Sequence, residues 1–184
     1  MRRFDPDRFV EACISASEDS DPLSAVRDVV LRAVSEPGAL DTAFPVPLAD
    51  DEDDGVLYRA ADLLVASAIF PPRFCTGIHE HRVPAVIGVW AGHENNHLFE
   101  RSHRGLRSLG VQRVDVGEAL TLSADAIHDV HTAETSHSAA LHVYLGDITA
   151  IPRSYWDDAD SEPVPFDLER VNDDGRERPW QPDQ

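Results

Sequence analysis

The sequence predicts a mainly β protein, an antiparallel sandwich or barrel with a helical extension at its N-terminal end. Three observations carry this. After Tyr58 the chain turns into short runs rich in valine, isoleucine and leucine, among them DLLVASAIF, AVIGVWAG, NHLFER, VQRVDV, ALTLS and AALHVYLGD. Pro71-Pro72, Gly77, Gly92, Gly105, Gly110 and Gly117 separate those runs, as turns between strands would. Before residue 36 the apolar residues recur instead at helical spacing: Phe9, Cys13 and Ile14, then Leu23, Val26, Val30, Leu31 and Val34.

Taken in order, residues 5–18 and 21–35 are two predicted helices. Asp21-Pro22 supplies a start for the second, and Pro37-Gly38 is expected to stop it. ADDEDDG, 49–55, reads as a solvated loop, because its acids do not follow the spacing of an EF-hand. Residues 1–55 therefore form a helical extension with an acidic linker, 56–152 the barrel, and 153–184 a polar, proline-bearing tail held to the barrel by Tyr155, Trp156 and Phe166. Within the barrel, His93 and His97 are expected to flank a Glu94-Asn95-Asn96 turn. His103 falls in a polar loop, and His131 and His137 surround the turn after His128, so surface or supporting roles are expected for all five. Trp90 and Phe99 read as core or pocket wall.

Composition narrows the functions open to the chain. Its 184 residues, 42% apolar, suit one main domain. Asp and Glu number 34 against 16 basic residues, a formal charge of −18, so nucleic acid and anionic lipid surfaces are repelled. All the basic residues are arginine, a bias that fits either a high-GC genome or a high-salt cytoplasm. Cys13 and Cys75 lie far apart and outside any CxxC spacing, which indicates neither a disulfide framework nor a zinc knuckle and makes a reducing cytoplasm the default. Acids interrupt the N-terminal segment before an apolar core of signal-peptide length, and no later segment is apolar enough to span a membrane. A soluble, cytoplasmic monomer or homodimer is expected, with the helices covering a sheet edge or mediating the dimer.

The histidines carry the chemistry. In GIHEHRV, His79 and His81 alternate, so on a strand both project to one face while Glu80 and Arg82 point away. Two imidazoles from one short segment are metal-ligand geometry, with a pair of half-exposed rim histidines as the plainer reading. His128, in LTLSADAIHDVHT, can add a third imidazole from a neighbouring strand of a small closed barrel. In SHSAALHVYLGD, Ser138, Ala140, His142 and Tyr144 share one face and Ala139, Leu141 and Val143 the other. A face bearing His and Tyr inside a barrel must find polar partners there.

On these motifs the sequence resembles the cupins and, within them, the cysteine dioxygenase-like (thiol dioxygenase) group. Gly77, HEH and Gly92 are similar to the first half of the cupin pattern, and Gly117 with His128 to the second. The pattern's carboxylate is absent, since Ala85 and Val86 stand where it is expected, and thiol dioxygenases likewise use three histidines and no carboxylate. LHVY resembles their segment in which serine, histidine and tyrosine alternate along one strand: His142 and Tyr144 match the last two, Ala140 stands at the serine, and Ser138 is the candidate substitute. Val86 occupies the position of the cysteine that some members crosslink to the tyrosine, so no such crosslink forms here. The resemblance covers about residues 56–157 and is strongest to an uncharacterised bacterial branch of predicted metal-dependent double-stranded β-helix enzymes.

The resemblance implies a cupin-type double-stranded β-helix, or jelly-roll, barrel in which His79, His81 and His128 hold Fe(II), with Zn, Ni or Mn as other candidate ions. It implies Tyr144 and His142 as catalytic residues, Ser138 as their support, and an arginine for the substrate carboxylate, Arg59 or Arg73. The implied reaction joins O2 to a small thiol such as cysteine or 3-mercaptopropionate to give a sulfinate. A non-oxidative metal cupin acting as an isomerase or hydrolase, and a small-molecule-binding or regulatory cupin, are the rival readings.

Overall fold

A computed structural model of the chain describes residues 3–44, 55–169, 171 and 175. The acidic linker expected at 49–55 lies almost wholly outside the described residues, as does most of the chain beyond 169. Three helices come first: α1 (Pro6–Ser17), α2 (Pro22–Val34) and α3 (Pro37–Ala43). Asp5 and Asp21 cap the first two by accepting from the N–H groups of Arg8 and Ser24, each at 3.3 Å, and a proline follows each cap. The third helix was not expected. Pro37 ends α2 but also opens α3, because a residue without an N–H costs nothing in a first turn.

Among the described residues eleven strands follow: β1 (Val56–Arg59), β2 (Leu64–Phe70), β3 (Ile78–Glu80), β4 (Ala85–Ala91), β5 (His93–Ser102), β6 (Gly105–Asp115), β7 (Ala119–Leu122), β8 (Ile127–Thr132), β9 (Ser138–Tyr144), β10 (Ser154–Trp156) and β11 (Val164–Pro165). They form two antiparallel sheets, one of five strands in the order β1-β2-β9-β4-β7 and one of six in the order β11-β10-β3-β8-β5-β6. The pairings β2 with β9, β3 with β8, β4 with β7 and β5 with β6 are those of one long hairpin, outermost strands first. Rolled up, that hairpin places alternate pairs in opposite sheets, and β4 with β9 and β5 with β8 join its turns. This is the jelly roll.

Alternation along β9 divides the core. Ala139, Leu141 and Val143 face out toward the helices, joining Val26, Val30, Val34, Val86 and Trp90, while Ala140 and Tyr144 face in among Leu64, Ala85, Ile87 and Val89. Helix α2 lies so close to β4 that a Cβ on Gly88 would fall 2.2 Å from Val30 Cγ1. The helices thus cover the outer face of the five-stranded sheet. The tail begins as structure: Tyr155 and Trp156 are buried in β10, which pairs with β3 through Tyr155↔His79 and Trp156↔Ile78.

Candidate metal centre

Strand β3 presents His79, and His81 follows just beyond its end; across the ladder His79 stands opposite His128 on β8. The three Nε2 atoms converge. His81 Nε2 is 3.2 Å from His79 Nε2 and 3.3 Å from His128 Nε2, with all three residues buried. Hydrogen bonds on the far side of two rings fix which nitrogen faces inward: His79 Nδ1–H donates to the Gly77 carbonyl and His128 Nδ1–H to Asn96 Oδ1, each at 2.9 Å. Each Nε2 of that pair is then a bare lone pair. Burial, followed by the neighbouring histidines, holds His81 and His128 well below the usual imidazole range, so they stay neutral.

Two of the three facing nitrogens are bare lone pairs and a proton on His81 Nε2 would serve only one of them, whereas a cation at their centre would engage all three. Metal–nitrogen bonds of roughly 2.0–2.1 Å put donors about 2.9 Å apart at octahedral and about 3.4 Å apart at tetrahedral angles. The observed separations lie between, so the histidines His79, His81 and His128 form a group fit to hold a transition-metal ion of either geometry.

The five-stranded sheet brings Tyr144 and His142 against this group. The Tyr144 ring meets His81 edge to face at 5.0 Å, and its hydroxyl is 2.9 Å from His142 Nδ1. Burial pushes His142 down to about 4 and raises the Tyr144 phenol, so a neutral imidazole faces a protonated phenol. Among the described residues His142 Nε2 is buried without a partner. An orphaned acceptor is tolerated better than an orphaned N–H, which favours the tautomer in which Nδ1–H donates to the Tyr144 oxygen. The Tyr144 O–H then remains available to the pocket.

Ser138 shares the face of His142, but its hydroxyl donates to Glu94 Oε1 at 3.2 Å. Glu94 was expected in a turn. It lies in β5, whose His93–Ser102 run is continuous strand with Glu94 and Asn96 buried, and burial pushes its carboxyl up to about 7 despite the Ser138 bond. The polar HENNH run reads as a turn because strand-forming residues are lacking; it holds as a strand because its inner side chains have polar work in the pocket.

The two arginines proposed for a substrate carboxylate are elsewhere. Arg59 pairs with Asp147 at 2.9 Å and Arg73 with Glu134 at 3.5 Å, and both side chains are more than half exposed. Arg153 is the one near the histidines, a residue passed over because it opens the tail. Its guanidinium lies over Phe166 at 3.4 Å, Phe166 lies 5.7 Å from the His79 ring, and its charge is felt by His81 and Tyr144. Among the described residues no carboxylate pairs with it.

Glu80, between the two histidines, points away as the alternation requires. It is buried, accepting from Arg101 Nη2 at 2.7 Å and from the Ser154 N–H at 3.1 Å, and so braces β3 from behind. His131 is likewise buried, in β8, where a turn was expected after His128. Burial alone would lower its pKa, but Asp129 and Cys75 outweigh that and push it up to about 10.

These elements define the class: a jelly-roll protein with a buried three-histidine group and a tyrosine–histidine pair inside it. No family model matches the chain. Similar solved structures include BH2720 from Bacillus halodurans, 14% identical with a TM-score of 0.45, over 55% of this chain and 83% of that one. Oxalate oxidase in complex with glycolate is 14% identical with a TM-score of 0.40, over 55% and 64%. The cupin domain of Schizosaccharomyces pombe Cnp3 is 5% identical with a TM-score of 0.42, over 51% and 60%. The chain thus spans less than two thirds of the last two, and the fold assignment rests on strand order. No helix among the described residues is long and apolar enough to cross a membrane.

Proposed function

We propose that the chain is a metal-dependent cupin enzyme, a mononuclear non-haem Fe(II) dioxygenase that converts a small thiol such as cysteine or 3-mercaptopropionate to its sulfinate. The observation that supports it most is the donor set: three converging imidazole nitrogens, no carboxylate among them, with a protonated tyrosine against one ring. His79, His81 and His128 would hold the Fe(II), which would supply the binding of a thiolate together with O2. In the overall reaction RSH + O2 gives RSO2H; sulfur gives up four electrons and both oxygen atoms end on it.

The protein's own part is positioning. Tyr144 O–H, oriented by His142, donates to an oxygen or to the substrate's polar group at the pocket. Arg153 offers a carboxylate-bearing thiol a planar fork of donors from the tail side. Glu94, mostly protonated below about 7, adds no full negative charge to repel that carboxylate at mildly acidic pH.

The test is anaerobic loading with Fe(II), followed by oxygen uptake with cysteine, 3-mercaptopropionate and cysteamine and mass spectrometry for the sulfinate. Uptake that depends on thiol, with Arg153→Gln raising KM for the two carboxylate thiols and sparing cysteamine, supports the reading. Iron-loaded protein that consumes no oxygen with any of the three ends it, and leaves the non-oxidative or ligand-binding cupin.

A further inference from the structure

Along β8, His128 and Val130 face into the jelly roll, while Asp129 and His131 face the other side of the six-stranded sheet. There they meet Cys75, which reaches them through an isolated bridge to His131. Cys75 Sγ lies 3.2 Å from His131 Nε2, and Asp129 Oδ1 lies 3.3 Å from the same nitrogen. All three residues are at least nine-tenths buried. A cysteine, a histidine and an aspartate together suggest a nucleophile relay, but a relay uses both ring nitrogens, one for the thiol and one for the carboxylate. Here sulfur and oxygen both approach the same nitrogen, so the ring does not stand between them as a relay requires. Asp129 Oδ1, moreover, is buried with imidazole nitrogens of His97 and His131 each at 3.3 Å, yet among the described residues none meets it in hydrogen-bond geometry.

We infer that Cys75, Asp129 and His131 form a second metal site, suited to a zinc-like divalent ion, across the sheet from the three histidines. A thiolate, an imidazole and a carboxylate are tetrahedral zinc donors, and bonds of about 2.0–2.3 Å place neighbouring donors roughly 3.3–3.6 Å apart. The observed 3.2 and 3.3 Å are close to those values. The surroundings are those of a thiolate ligand: the Gly77 N–H donates to Cys75 Sγ at 3.4 Å. The ring of His97 stacks on His131 at 4.3 Å and brings its Nδ1 to 3.3 Å from Asp129 Oδ1. The backbone shows what the ion would fasten, since the Cys75 N–H donates to the Gly175 carbonyl at 2.8 Å. It would pin the segment before β3, and with it a residue of the C-terminal region, to the back of the strand that carries His128.

Cobalt(II) distinguishes this site from the other because only a thiolate ligand gives a sulfur-to-cobalt charge-transfer band in the near ultraviolet. Wild-type protein and His81→Ala titrated with Co(II) should both show the band, and Cys75→Ser should lack it. By elemental analysis of zinc-loaded protein, Cys75→Ser and His131→Gln should each lose about one equivalent per chain that His81→Ala keeps. A wild-type cobalt spectrum without the band overturns the site, and that measurement needs no variant to fold. So does a folded Cys75→Ser that retains the wild-type zinc content.

Discussion

The two sheets bury their residues for different reasons. In the five-stranded sheet, β9 is buried from end to end, and its outward face is alanine, leucine and valine pressed against the helices. In the six-stranded sheet the buried residues include His79, Glu80, His81, Glu94, Asn96, His128, Asp129 and His131. One sheet is held by apolar packing; the other is held largely by pairings among polar groups, which cost stability unless each finds a partner. The comparison teaches that the helix-facing side of the first sheet can be altered at a cost in stability alone, whereas changes among the buried polar residues of the second alter chemistry first.

The strongest challenge to that division is His81→Ala. It should abolish iron retention at the inner group and thiol-dependent oxygen uptake while circular dichroism stays unchanged; a collapse of the fold would show that the polar sheet is also the mechanical one. Next comes Glu94→Gln. Burial raises the Glu94 pKa from 4.5 to about 7, so between those values the unfolded chain releases a proton that the folded chain keeps. That contribution to stability is full below the lower value and lost as pH rises through the upper one. The variant should therefore gain on wild type across this window, by up to about 3 kcal/mol at the alkaline end. Urea midpoints measured across the window check it, and a pH-independent difference refutes it.

Tyr144→Phe sharpens the comparison, since Tyr144 is the five-stranded sheet's contribution to the pocket. It should cut kcat roughly 10–100-fold and leave iron content at the wild-type level, because the hydroxyl touches His142 rather than the converging nitrogens. The smallest effect belongs to the apolar side. Gly88→Ala puts a methyl against Val30 and should cost about 1–3 kcal/mol, much of it restored by adding Val30→Ala, with metal content unaffected.

Much of the centre was legible because strand alternation is local. His79 and His81 two apart, and the Ser138 to Tyr144 alternation, declare their faces without knowledge of any partner. His128 was legible through its motif. What stayed hidden is what depends on a second strand. The buried role of Glu94 and Asn96 is set by His128 and Ser138 across the ladder and across the barrel. Arg153 comes near the histidines because β10, which it precedes, extends the sheet beside β3. Cys75 and His131 stand 56 positions apart, so no spacing rule could join them. Helix α3 was lost to reading proline solely as a stop.

The rolled hairpin has a thermodynamic consequence. His79 and His81 come from one end of β3, but His128 joins them only once β3 and β8 have paired across 49 positions of chain. The disordered chain offers an ion a pair of imidazoles; the closed barrel offers three, already turned inward. Any ion favouring the triad therefore binds the folded form preferentially and adds RT ln(1 + [M]/Kd) to its stability, where [M] is the free ion concentration. With an ion in the triad, the melting temperature of this protein would rise with free metal and fall on chelation.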